Sequence, residues 1–295
     1  MLKKVSNPFQ SCESEYNEAN VVIFSCPMDT TCSFRPGTRF AGPAIRTDSF
    51  GVEWYSPYMD MDLKDYNTCD TGDLDLPIGD VKKCLEIIEE TTQTILNDNK
   101  LPMMIGGEHL VSLGVFRAMS KKYPDLRVIH LDAHTDLRED FFGMELSHAT
   151  VLRKCYDLLG DNRIYQFGIR SGSKEEFEWA KTHTHLQKFN LDGLSEAVEE
   201  IKNHPVYITI DLDVLDPAYF PGTGTPEPGG ITYKELLGAI QEFTKLNNVV
   251  GADIVELSPH YDASGASTAV ACKTLREMIL LLHKQVKYKK MQCTK

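Results

Sequence analysis

Asp132, His134 and Asp136 alternate with Ala133 and Thr135 directly after an apolar run, and Asp211 and Asp213 repeat that spacing after another. His109 follows a third such run, Leu101 to Ile105. In extended backbone, residues two apart point to the same face, so each set is expected to present its side chains together. A lone Asp-x-Asp after a strand is ordinarily a turn or a cap; six ligand-type residues at the ends of three apolar runs are a different matter. Asp132, Asp136, Asp211 and Asp213 carry four negative charges, and crowding them would force proton uptake unless cations sat between them. Two divalent cations restore the balance. With His109 and His134 the donor set is carboxylate oxygen plus imidazole nitrogen and no sulfur, which suits manganese better than a closed zinc site. The expected centre is a pair of Mn²⁺ ions about 3.5 to 4 Å apart. His130 has the right parity to join but lies inside its apolar run, so it is read as core or as support for a ligand.

The elements that position these residues follow from the runs themselves. LPMMI, LRVIHL and VYITI are strands buried on both faces, the kind found in parallel sheets. Ligands in such sheets gather beyond the carboxyl ends of strands, which brings the three clusters together. Strands are expected near Val21 to Ser25, Met103 to Ile105, Arg127 to Leu131, Arg163 to Phe167, Val206 to Ile210 and Val249 to Val255. Helices fit between them: Val81 to Leu96, capped by Asp80 and striped by Val81, Leu85, Ile88 and Ile95, then Leu110 to Met119, Ala149 to Leu159, Lys174 to Lys181, Tyr233 to Thr244 and Thr274 to Lys284. The alternation implies an α/β sheet sandwiched by helices.

The 295 residues are expected to form one domain, 1–295, because the ligand set spans the middle of the chain. A net charge of -12 disfavours nucleic acid and anionic membranes and suits a cationic ligand. No apolar stretch approaches the ~20 residues of a membrane span, and the start lacks the apolar segment of a signal peptide. The 8 cysteines show no paired spacing and read as reduced thiols in a cytoplasm. GTGTPEPGG (222–230) is a loop and not a dinucleotide fingerprint, because no helix opens after it. GIRSGSK (168–174) lacks phosphate-loop spacing, His183 and His185 are expected on a solvated loop, and the basic KQVKYKK (284–290) reads as a solvated helix end.

GGEH (106–109), DAHTD (132–136), SHAT (147–150), DLDVLDP (211–217), GTGTPEPGG and DIVELSP (253–259) occur in the order that resembles the arginase/agmatinase family, the ureohydrolases, with the agmatinase branch most alike. The likeness covers almost the whole chain, including RPGTRFAGPAIR (35–46). It implies a three-layer α/β/α sandwich around a mainly parallel, eight-stranded sheet. It implies one manganese on His109, Asp132, Asp136 and Asp211 and another on Asp132, His134, Asp211 and Asp213. A hydroxide bridging the two would attack a guanidinium carbon, releasing urea and an amine. Asp136 would orient that nucleophile, His148 would pass a proton to the leaving amine, and Glu256 would grip the guanidinium fork. Three departures stand out: Glu108 where relatives often carry Asp, Ala149 where glycine is common, and RFAGPAIR with its glycine and proline one place late.

Within the family the stretch LREDFFGMELS (137–147) lacks the Ser-Gly-Asn cluster with which arginases receive a carboxylate. Glu139, Asp140 and Glu145 stand there against the single cation Arg138, a mouth expected to attract an ammonium. Agmatine is therefore the expected substrate, cleaved to putrescine and urea in polyamine synthesis, with Glu227 as a further contact to the distal ammonium. The alternatives are arginine, guanidinobutyrate, guanidinopropionate or formiminoglutamate as substrate, a single-zinc deacylase of related architecture, or a non-catalytic binding member. The resemblance also implies a homo-trimer or homo-hexamer.

Overall fold

In the computed structural model, residues 2–293 are described, with side chains as far as Val286. The strands are β1 Val21–Ser25, β2 Tyr55–Ser56, β3 Met61–Asp62, β4 Thr68–Asp73, β5 Leu101–Ile105, β6 Arg127–Leu131, β7 Ile164–Ile169, β8 His185–Lys188, β9 Val206–Asp211 and β10 Val249–Val255. The helices are α1 Ala41–Asp48, α2 Val81–Asn97, α3 Ser112–Lys122, α4 Val151–Leu159, α5 Lys174–His183, α6 Leu194–Ile201, α7 Tyr233–Phe243 and α8 Ala266–Cys293. Eight strands form one sheet in the order β4-β1-β5-β10-β9-β6-β7-β8. Every neighbouring pair in it is parallel. β2 and β3 make a separate antiparallel pair.

Parallel strands need covered faces, and both are covered. One core packs Ile23, Ile105, Ile208 and Ile254 under side chains of α1, α6, α7 and α8. The other packs Val22, Met104, Val128 and Tyr207 under α2, α3, α4 and α5. Because both faces are apolar, β1, β5, β9 and β10 are buried at every position. α2 starts where Asp80 accepts the N–H of Lys83 at 3.0 Å. α3 lies close against it: a Cβ on Gly114 would stand 2.7 Å from Ile88 Cβ.

The two sheet edges, β4 and β8, and the short helices α1 and α6 are absent from the sequence-based expectation. Edge strands lack the two-sided burial that makes a run uniformly apolar; TCDTGD and HLQK are mostly polar. His185 thus sits in β8 and stacks on Tyr165 with ring centroids 4.3 Å apart, while His183 ends α5 and meets Asp161 at 2.6 Å. The last helix begins at Ala266, eight residues before its expected start, and Gln285 is buried with its amide donating to Leu246 O at 3.0 Å. Of the basic KQVKYKK stretch, Lys284 is exposed, and the side chains from Lys287 onward lie outside the described residues. Seven cysteines are described and all are free thiols; Cys293 lies outside the described side chains. No described helix is long and apolar enough to cross a membrane.

Candidate metal centre

Four adjacent strands in the middle of the sheet, β5, β10, β9 and β6, deliver the site from their carboxyl ends. His109 opens a short turn beyond β5, Glu256 follows β10, Asp211 ends β9, and Asp132 follows β6. Sheet order, not chain order, makes neighbours of residues more than a hundred positions apart.

Spacing of two works here by a route different from strand alternation. Asp132 Oδ1 accepts the N–H of His134 at 2.6 Å, and Asp211 Oδ1 accepts the N–H of Asp213 at 2.9 Å. Each aspartate folds its own chain into a turn as the strand stops, satisfying an N–H that has lost its sheet partner. The extended backbone expected for 132–136 continues at His134, which pairs in parallel with Ser171, and is corrected at Asp136. Asp136 is held by a left-handed backbone, φ 52°, uncommon for a residue with a Cβ. Its carbonyl repays the strain by accepting the N–H groups of Leu152 and Arg153, at 3.0 and 3.1 Å, at the start of α4. Glu256 is left-handed too, φ 66°; its N–H donates to Gly107 O at 3.0 Å and its Oε1 accepts the N–H of His109 at 2.7 Å. Gly107 admits no side chain, since a Cβ would lie 1.9 Å from Met28 O.

His109 Nδ1 lies 3.1 Å from Asp132 Oδ2, 3.1 Å from Asp136 Oδ2 and 3.4 Å from Asp211 Oδ2. His134 Nδ1 lies 3.1 Å from Asp213 Oδ2 and 3.5 Å from Asp132 Oδ1. Two groups able to hold an ion result, one of His109, His130, Asp132 and Asp136, the other of Asp132, His134 and Asp213, sharing Asp132. His130 is within reach, yet its nitrogens are spent. Its Nδ1 accepts from Gln166 Nε2 at 3.1 Å, so its Nε2 carries the proton and donates to Asp132 at 2.7 Å. The Gln166 amide is oriented by Thr135 O and by the hydroxyl of Thr184. His130 supports the Asp132 carboxylate.

Electrostatics state the same need for cations. Burial, then the charge of Asp132, pushes Asp136 up to about 7. Burial with Asp213 and Asp132 holds Asp211 well above the usual carboxylate range, and burial with Glu108 does so for Glu256. Asp132 is driven the other way: burial opposes its ionisation, but His130, His109 and His134 hold it well below. Both His109 and His134 are raised well above the ordinary imidazole value, against burial, by the aspartates around them. Carboxylates this crowded keep protons or borrow imidazolium charge; divalent cations would replace both, and the donors present fit two such ions.

A cavity of about 190 Å³ opens over this centre, lined by His134, Asp136, Arg138, Phe141, His148 and Glu176 among others. Burial lowers His148 to about 4, leaving it neutral, with Nε2 3.4 Å from Ser33 Oγ and its N–H given to Thr31 Oγ1 at 3.0 Å. Thr31 also donates to the buried Glu108 at 2.8 Å, which ties the histidine to the wall behind His109. Glu227 faces the site from the 222–230 loop, its Oε1 4.0 Å from His134 Nε2. The acidic mouth is different. Glu139 pairs with Arg153 at 2.7 Å and is 79% exposed, Asp140 accepts the N–H of Gly143 in a turn, and Glu145 is exposed. None of the three lines the cavity; the αL residue Phe142 and Gly143 turn that stretch outward. The acid on the wall is Glu176, 5% exposed, whose Oε1 accepts from Thr135 and Leu137. Its only sequence signal was the Ser173-x-x-Glu176 capping box that starts α5.

A central parallel sheet with an aspartate-histidine cluster at its carboxyl edge defines a metal-binding α/β architecture. The model of the Arginase family matches residues 19–281, and the chain belongs to that family. An agmatinase of Bacillus subtilis (strain 168) is 52% identical over 275 residues, 92% of this chain and 95% of that protein. A crystal structure of a candidate agmatinase from Clostridium difficile superposes with a TM-score of 0.90 at 49% identity, covering 92% of this chain and 100% of that one. A guanidinobutyrase of Pseudomonas aeruginosa is 31% identical, over 93% of this chain and 90% of that protein.

Proposed function

We propose that this chain is an agmatinase, hydrolysing agmatine to urea and putrescine with two Mn²⁺ ions. The observation that carries the reading is the pair of ion-holding groups joined through Asp132 beneath a cavity, in a chain 52% identical to an agmatinase. His109, Asp132, Asp136 and Asp211 would hold one ion, and Asp132, His134, Asp211 and Asp213 the other. When bound, such a pair supplies a water of lowered pKa and a Lewis acid for the guanidinium carbon. The chain's own residues do the rest. Asp136 orients the attacking water and takes up its proton, its backbone pinned by α4. His148, neutral at the cavity wall, moves a proton to the leaving amine. Glu256 receives the guanidinium with Oε2, since Oε1 is committed to the N–H of His109. The products belong to polyamine synthesis in a cytoplasm, and a homo-trimer or homo-hexamer is part of the same reading.

One observation favours a second reading, a substrate with an anionic tail: Arg138 lines the cavity. Its Nε lies 3.4 Å from Glu176, so the pair presents little net charge to a ligand, whereas the Glu227 carboxylate stands 4.0 Å from His134. The test is product identification by NMR after incubation of the Mn²⁺-loaded protein with agmatine, arginine and 4-guanidinobutyrate. Putrescine and urea from agmatine support the first reading; turnover of guanidinobutyrate alone supports the second.

A further inference from the structure

Behind His109, on the side away from the cavity, lies a fully buried carboxylate that the catalytic reading leaves unused. Asp253 stands in β10, and Thr209 in neighbouring β9 is its register partner. Thr209 Oγ1 donates to Asp253 Oδ1 at 2.6 Å; Tyr207 and Ser112 hydroxyls each donate to Oδ2 at 2.8 Å. All four residues are 0% exposed. His109 Nε2 lies 2.9 Å from Thr209 Oγ1. An ionised Asp253 has no hydrogen to give and accepts from all three hydroxyls; burial pushes its titration up, and His109 with these three donors pulls it down.

That arrangement fixes the histidine by elimination. Thr209 has one hydroxyl hydrogen and gives it to Asp253, so toward His109 its oxygen can only accept. The one proton that His109 keeps beside a cation therefore belongs on Nε2. Nδ1, facing Asp132, Asp136 and Asp211, is the nitrogen left free to serve as a ligand. We infer that Asp253, acting through Thr209, is a positioning residue that locks the His109 ring and tautomer for coordination through Nδ1. The inference rests on the two-metal reading, and it assigns to Asp253 and Thr209 a part in metal affinity rather than in the chemical step. Histidine ligands commonly donate their second N–H in this way. Here a hydroxyl is interposed, so the carboxylate acts at one remove.

The experiment is calorimetric titration of Mn²⁺ into the chelator-stripped protein, alongside its metal-free melting temperature. Thr209→Val keeps the shape and removes the hydroxyl; its Mn²⁺ affinity is expected to fall about 10- to 100-fold, the usual effect of losing such a partner. Thr209→Ser restores the hydroxyl and is expected to restore affinity to within a few-fold, and Tyr207→Phe, which leaves the Thr209 link intact, to stay equally close. A folded Thr209→Val that binds Mn²⁺ as tightly as wild type, with only a lower metal-free melting temperature, overturns the inference. Should that variant fail to fold, nitrogen-15 spectra of wild type loaded with diamagnetic Zn²⁺ decide: a proton on His109 Nε2 supports the assignment and one on Nδ1 overturns it. Wild type that binds no Mn²⁺ and releases no urea removes the two-metal reading instead, which keeps the two failures apart.

Discussion

Glu227 Oε1 stands 4.0 Å from Nε2 of His134 and accepts the hydroxyl of Ser171 at 2.9 Å. An acid from the 222–230 loop thus reaches the rim of the metal centre, while the backbone carbonyl of the same residue is gripped by the Arg170 guanidinium at 2.8 and 3.1 Å. That grip holds the carboxylate at the site, where a cationic tail can meet it. Glu227→Gln is expected to raise the KM for agmatine by about tenfold, one charge-assisted contact, with a smaller change in kcat. An unchanged KM would remove Glu227 from the substrate site.

The contrasting expectation concerns the stretch before His148. Because Glu139, Asp140 and Glu145 do not line the cavity, their combined replacement by Gln, Asn and Gln is expected to leave the ratio of kcat/KM for agmatine over arginine within about threefold of wild type, the size of a long-range surface effect. A loss of preference of tenfold or more would show that the stretch closes over substrate.

His148→Asn removes a neutral imidazole from the cavity wall but touches no group able to hold an ion. Turnover is expected to fall by about 10² to 10⁴-fold with both metal equivalents retained, the range for lost general acid-base help. A metal count of one in that variant would make His148 a ligand.

The start of α8 supplies a pH-dependent stability. Asp262 accepts the N–H of Ser267 at 2.7 Å and both the N–H and hydroxyl of Ser264. Partial burial opposes its ionisation, yet these donors lower it to about 2. Its folded value lies below its unfolded one, so its stabilisation is complete above the unfolded value and fades as pH falls toward the folded one. Asp262→Ala is expected to lower stability by about 1 to 2 kcal/mol at neutral pH, as for other helix-start aspartates. In urea titrations the gap to wild type narrows on acidification; a gap that widened instead would contradict the assignment.

Much of this was legible in the sequence because the central strands are buried on both faces and so read as unbroken apolar runs. The candidate ligand residues stand out since each follows such a run. What misled was the shared spacing of two, which fits strand alternation and an aspartate-capped turn equally well: His134 keeps the extended pairing, but Asp136 turns left-handed and Asp213 lies in a turn capped by Asp211. The edge strands β4 and β8 were hidden by their polar residues. The direction of Glu139 and Asp140 depends on the left-handed Phe142-Gly143 turn, which charge counting cannot see. Thr209 and Asp253 were hidden for the opposite reason, since a buried Thr or Asp inside a strand announces itself only when its partners on the next strand are known.

The central claim is a hydrolase that needs two metal ions and prefers a substrate without a carboxylate. Its most direct test is kcat/KM for urea release from agmatine and from arginine, measured on chelator-stripped protein before and after Mn²⁺ is returned. Activity is expected only with Mn²⁺ and in favour of agmatine, with a higher melting temperature in the loaded state, because bound ions stabilise the fold that holds them. Full activity in verified metal-free protein, or a preference for arginine, would contradict it.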